Sequence, residues 1–152
     1  MIRTKILATL GPATADAETI YRLLADYRTT HPTILPPQFT RLDVEQGGVG
    51  AGTVFRAETS VMGSHRSYRM VVSEPEPGRV LAETDLDTDL VTTFTLEPLD
   101  DTMRTRLTIA TDWQPASGLA GMLERLTTPS IMGRMYEDEL GRIAAAVVPG
   151  KG

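Results

Sequence analysis

Residues 116–148 read ASGLAGMLERLTTPSIMGRMYEDELGRIAAAVV, and their spacing decides the fold. Leu119, Met122, Leu126, Pro129, Gly133, Tyr136, Leu140, Ile143 and Val147 recur three or four positions apart. That period draws one apolar stripe along a long helix, bent or broken near Pro129. Leu123, Ile131, Met132 and Met135 widen the stripe, and Glu124, Arg125, Arg134, Glu137, Asp138 and Arg142 take the opposite face. Gly118, Gly121, Gly133 and Gly141 each cost about 1 kcal/mol of helix propensity against alanine. Such a helix needs an apolar surface to lie on, and the preceding residues read as that surface.

From Phe39 to Trp113 the hydrophobic period falls to two. Strands are predicted over Phe39–Gln46, Gly52–Met62, His65–Glu74, Val80–Asp85, Leu90–Leu96 and Met103–Trp113. Glycine, proline and aspartate clusters separate them at short intervals, as consecutive antiparallel hairpins require. In the last strand Met103, Thr105, Leu107, Ile109, Thr111 and Trp113 alternate with Arg104, Arg106 and Asp112, so one face is apolar and the other wet. Ahead of this block, Ile2–Leu10 alternates as a strand and Gly11-Pro12 breaks it. Asp16 can cap a helix carrying Ile20, Leu23, Leu24 and Tyr27 on one face, ending near Arg28. Pro32, Pro36 and Pro37 then allow at most a short helical turn. The fold class is α+β: a curved antiparallel sheet of about seven strands gripping a long C-terminal helix, with one or two short helices after the first strand. Residues 1–148 are expected to form a single domain, followed by a flexible tail at 149–152.

Bulk composition narrows the function classes. The chain has 152 residues, 41% apolar and 23% charged, with a net charge of −5. Interspersed charges of that balance offer no basic stripe for nucleic acid. No apolar run approaches the ~20 residues of a membrane-spanning helix. There is no cysteine, hence no disulfide frame, thiolate nucleophile or cysteine metal site, and a reducing cytoplasm is the expected location. Two scattered histidines, His31 and His65, do not make a zinc site. Asp85, Asp87 and Asp89 alternate behind Glu83 without the glycine turn or closing glutamate of a calcium loop. They read as a solvated acidic hairpin. No metal or cofactor is expected.

Four phrases carry a resemblance to known proteins. They are Asp26-Tyr27-Arg28-Thr29-Thr30-His31-Pro32, the joint Gly47 to Thr53, Ser73 to Leu81, and Thr92 to Leu99. With the element order, they make the chain resemble the START-like (SRPBCC) superfamily of helix-grip proteins. Within it, the chain looks like the polyketide cyclase/dehydrase-like group, over about Ile2 to Val148. The resemblance implies a cavity between sheet and long helix that takes an apolar or aromatic molecule, lipid-, sterol- or polyketide-like. Expected lining residues are Phe55, Ala57, Thr59, Tyr68, Met70, Thr92, Phe94, Leu107, Ile109, Thr111, Met122, Met132, Met135 and Tyr136. Few large aromatics and seven methionines suit a pliable pocket.

No nucleophile elbow or phosphate loop is present. His31, at the expected mouth of the cavity, Tyr68 and Tyr136 are the acid–base candidates if the protein is an enzyme. Because no catalytic motif stands out, a binding or carrier protein is the first reading, leaning away from catalysis. A cyclase or dehydratase using the same cavity is the alternative, and a protein-interaction module the third. The protein is expected to act as a monomer or homodimer.

Overall fold

A computed structural model describes residues 2–10, 16–99, 104–115 and 117–147. Its elements are β1 (Ile2–Leu10), α1 (Ala17–Ala25), α2 (His31–Ile34), β2 (Phe39–Gln46), β3 (Val54–Val61), β4 (Ser64–Glu76), β5 (Val80–Asp85), β6 (Val91–Pro98), β7 (Thr105–Trp113) and α3 (Gly118–Val147). The Gly11-Pro12 break, Met103 and the tail 149–152 lie outside the described residues.

The seven strands form one antiparallel sheet in the order β1-β7-β6-β5-β4-β3-β2. Strands β2 to β7 follow one another as hairpins, and β1 closes onto β7 from Ile2 opposite Trp113 to Leu10 opposite Thr105. The β3–β4 turn is tight because Met62 and Gly63 both have positive φ, 50° and 80°, the geometry that matches strand twist in a two-residue hairpin. Sheet and helices have the curved helix-grip architecture expected from the element order.

The segment after β1 is fastened in two places. Asp16 caps α1, accepting hydrogen bonds from the Thr19 amide and hydroxyl, each at 2.9 Å. At the other end, the glycine-rich β2–β3 joint lies against the chain leaving α1. The Tyr27 amide donates to the Gly48 carbonyl and the Gly50 amide to the Ala25 carbonyl, both at 2.9 Å. A Cβ at Gly48 would stand 2.2 Å from Arg28 Nε, and its φ is +146°, so this close approach requires glycine. The joint thereby fastens the backbone at Ala25 and Tyr27.

Helix α3 divides into two halves. Its C-terminal half buries Tyr136, Leu140, Ile143 and Val147 against the sheet, α1 and α2. Full burial of each such aliphatic side chain is worth about 1.5–3 kcal/mol. The N-terminal half differs from the sequence expectation. Leu119, Met122 and Leu126 are 75%, 56% and 72% exposed, so the single stripe does not lie on the sheet throughout. The helix also runs through Pro129 without interruption. Gly133 lies beside β1, where a Cβ would meet Ile6 Cδ1 at 3.7 Å. Among the described residues, no helix is long and apolar enough to cross a membrane.

Cross-strand register shows where the core ends. Leu81, Phe94 and Ile109 pair side by side across β5, β6 and β7 and are 0–2% exposed. Two residues along, the same face carries Glu83, Thr92 and Thr111 in register. An apolar row is followed at once by a polar one, and the packed core gives way to a cavity there.

Candidate functional site

The cavity holds about 390 Å³ between the concave sheet and the N-terminal half of α3. Its walls come from alternate residues of β3 (Phe55, Ala57, Thr59), β4 (Tyr68, Met70) and β7 (Thr111, Trp113). Ile131, Met132, Met135 and Tyr136 form the helical side, and Glu83 and Thr92 complete the polar row. The mouth lies between the β3–β4 turn and Leu123-Glu124 of α3, where Arg66 Nη2 stands 3.8 Å from Glu124 Oε1.

Of the residues expected to line a cavity, Phe55, Ala57, Thr59, Tyr68, Met70, Thr92, Thr111, Met132, Met135 and Tyr136 border it. Phe94, Leu107 and Ile109 do not. They belong to rows nearer the closed end, where α1, α2 and the C-terminal half of α3 fill the space. Met122 does not either, because its part of α3 turns that face to solvent.

His31 also departs from its expected position. It is 2% exposed and lies deep in the fold rather than at the mouth. The proline-rich segment folds back as α2, which tucks the ring under Tyr27 at a centroid distance of 4.3 Å, with Phe94 edge-on at 6.0 Å. Its Nδ1 is 2.7 Å from the Leu24 carbonyl. A carbonyl only accepts, so Nδ1 carries the hydrogen and Nε2 presents its lone pair. Burial pushes the imidazole down to about 4, leaving it uncharged at neutral pH.

The acidic stretch needs the larger correction. Asp87 and Asp89 are exposed, as a solvated hairpin would have them, but Glu83 and Asp85 are buried. Asp85 is satisfied locally by the Thr88 hydroxyl at 2.6 Å and the Arg69 amide at 3.3 Å. Glu83 instead borders the cavity. The Tyr27 hydroxyl donates to its Oε1 at 2.6 Å, and His31 Nε2 stands 3.6 Å from the same oxygen. With a neutral ring, that approach is not an ion pair. Burial pushes the Glu83 carboxyl up to about 7, against the opposing pull of the Tyr27 hydrogen bond. Its signal in the sequence was its phase: Leu81, Glu83 and Asp85 alternate on the inward face of β5.

Two further features complete the site. Thr92 Oγ1 is 2.8 Å from Thr111 Oγ1, which in turn bonds the Tyr136 hydroxyl. Glu139, one turn along α3 from Tyr136, is 4% exposed, and its Oε1 has no hydrogen-bond partner. Burial first, then the nearby Glu83 and Asp138, raise its carboxyl well above the usual range.

A sheet gripping a long helix over a lined cavity is the START-like architecture. The chain belongs to the family described as polyketide cyclase / dehydrase and lipid transport, which matches residues 12–148. The solution structure of KanY protein (ms6282) is similar at 24% identity and a TM-score of 0.79, covering 97% of this chain and 99% of that one. The Zhui aromatase/cyclase from Streptomyces sp. R1128 is similar at 19% identity and a TM-score of 0.77, covering 96% and 93%. A START superfamily protein from Mycobacterium smegmatis follows at 15% identity and a TM-score of 0.70, covering 95% and 96%. At these identities the likeness is one of fold. No curated protein matches the chain.

Proposed function

We propose that this protein binds one small apolar or aromatic molecule, lipid-, sterol- or polyketide-like, in the cavity between sheet and helix. The observation that carries this reading is the lining. About 390 Å³ is lined mainly by aliphatic, aromatic and methionine side chains, with the polar row Glu83, Thr92 and Thr111 beneath Tyr136 and further polar groups, Ser64, Arg66, Glu124 and Thr127 among them, on other parts of the wall. Small-molecule sites have that character: mostly apolar walls with a few converging polar groups. A ligand would lay its apolar body along Phe55, Met70 and Met132 and turn a hydroxyl or carbonyl toward the row. The family description names both cyclisation or dehydration and lipid transport, and one structural relative is an aromatase/cyclase. Binding is common to both roles.

The test is native mass spectrometry of the protein purified from its own cells, followed by solvent extraction. A reproducible small molecule released only on denaturation is expected. Ala57→Phe, which puts a ring into the cavity from β3, should abolish its retention while the protein stays folded. A bare mass, with no thermal stabilisation by 2-tetralone, benzoylacetone or androst-4-ene-3,17-dione, would overturn the reading.

A further inference from the structure

We propose that Glu83 is a general base and acid that moves a proton to and from the carbon beside a carbonyl of the bound molecule, while the Thr92, Thr111 and Tyr136 hydroxyls hold the carbonyl oxygen. The proposal rests on the binding reading above and adds a reaction to it. Glu83 is the carboxylate that borders this cavity from the floor of the sheet, and it sits directly across from Thr92 in the β5–β6 register. Paired residues on neighbouring strands have their Cβ atoms about 5 Å apart. A base and a set of hydroxyl donors therefore flank one small volume of a mainly apolar cavity. Hydroxyl hydrogens rotate to suit their acceptor, so an incoming oxygen with growing negative charge can be met by donation from this cluster.

The step balances within the site. The Glu83 carboxylate takes the proton as the C–H bond breaks. The electron pair moves through the carbon–carbon bond onto the carbonyl oxygen, giving an enolate held by the hydroxyls. Return of the proton from Glu83 to carbon restores the ketone and the base. No oxidant, metal or second substrate is needed.

The groups around Glu83 suit a base working near neutral pH. Tyr27 and His31 face it from the chain after α1 and from α2, and Tyr136 and Glu139 face it from α3. Tyr27 holds Oε1 in place and His31 stacks behind Tyr27; both are positioning residues. Burial keeps the Glu83 carboxyl at about 7, so both of its proton states are populated at neutral pH. A glutamate serving only to satisfy Tyr27 would not need to open onto the cavity.

The experiment follows exchange of the α-hydrogens of 2-tetralone, benzoylacetone and androst-4-ene-3,17-dione for deuterium in heavy water by proton NMR, with binding measured on the same samples. Exchange above the buffer rate is expected for at least one bound ketone, half-maximal near pH 7 and level above about pH 8. Glu83→Gln should bind that ketone within about threefold of wild type and lose its protein-dependent exchange by about 100-fold, the scale of general-base catalysis. Tyr27→Phe should keep exchange but move its pH inflection upward, because a hydrogen bond to the carboxylate is lost. That readout decides the matter if the glutamine variant fails to fold. Binding without exchange, or exchange indifferent to Glu83→Gln, would overturn the proposal and leave the binding reading intact. Absence of binding by all three ketones, with a bare mass for the purified protein, would overturn both.

Discussion

Tyr27 donates its phenolic hydrogen to Oε1 of Glu83 at 2.6 Å, although the two residues are 56 positions apart and both are buried. This bond joins the chain after α1 to the middle of the sheet. It satisfies the phenol and holds one carboxyl oxygen, while Glu83 still borders the cavity. Tyr27→Phe removes the hydroxyl and nothing else. The Glu83 carboxyl should then rise above its present value of about 7, since this hydrogen bond is what lowers it. Carbon-detected NMR titration of the glutamate carboxyls reads that shift directly. Loss of a buried hydrogen bond to a charged group costs about 1.5–3 kcal/mol, so urea unfolding at pH 8 should show a larger loss than at pH 5. An equal loss at both values would mean that Glu83 is not ionised in the folded protein at pH 8.

Stability against pH should show two opposed contributions. Glu83 is raised from 4.5 to about 7, so the folded protein holds that proton longer than the unfolded chain. Its stabilisation is complete below about 4.5 and is lost as the pH rises through about 7. His31 is lowered from 6.5 to about 4. Its contribution has the opposite sign: it is present above about 6.5 and is lost as the pH falls through about 4. Between pH 5 and 6 these two slopes oppose each other in wild type. Glu83→Gln removes one of them, so the variant should gain on wild type by roughly 3 kcal/mol between pH 4.5 and 7, at 1.36 kcal/mol per unit. Parallel wild-type and variant curves from chemical denaturation would rule out a perturbed Glu83.

Glu139 is a different kind of buried acid. Its Oε1 has no partner, and the neighbouring Glu83 works against its ionisation. An unpartnered buried polar group destabilises, commonly by about 1–3 kcal/mol. Glu139→Leu, of similar bulk and apolar, should therefore raise the urea midpoint, with a gain of about 1–2 kcal/mol at pH 8. The gain should shrink toward pH 4, where the unfolded chain's carboxyl is protonated as well and only the unpartnered oxygen still costs. A loss of stability instead would mean that Glu139 has a polar partner worth more than its burial costs.

The fold was readable from the sequence because its signals are local. The period-two run from Phe39 to Trp113 and the cap at Asp16 both correspond to observed elements. The cavity wall was readable where strand alternation determines facing, as for Phe55, Ala57, Thr59, Tyr68 and Met70. What escaped depends on how far the helix covers the sheet, which no local period records. Phe94 and Ile109 carry the same inward phase as Thr92 and Thr111, yet they sit one row nearer the packed end. Glu83 shows why composition misleads. Grouped with Asp85, Asp87 and Asp89 it looks like part of a charged hairpin, whereas strand phase turns its side chain inward. His31 escaped because its burial depends on α2 folding back beneath Tyr27, which no local period records.

The two halves of α3 should respond unequally to substitution. One apolar period runs the length of the helix, so sequence spacing alone assigns Leu126 and Leu140 the same role. Their surroundings differ: Leu140 is 5% exposed within the core, and Leu126 is 72% exposed. Leu140→Ala removes buried carbons and leaves a void, which costs about 2–5 kcal/mol. Leu126→Gln exchanges one exposed side chain for another and should stay within about 0.5 kcal/mol. Glutamine also has nearly the helix propensity of leucine, so the helix itself is not weakened. Urea unfolding of the two variants, read alongside ligand retention, separates the functions of the halves. Leu140→Ala should lower the midpoint, whereas Leu126→Gln should leave both midpoint and ligand in place. A loss above about 2 kcal/mol for Leu126→Gln would show that this face of α3 packs against another surface in the folded protein.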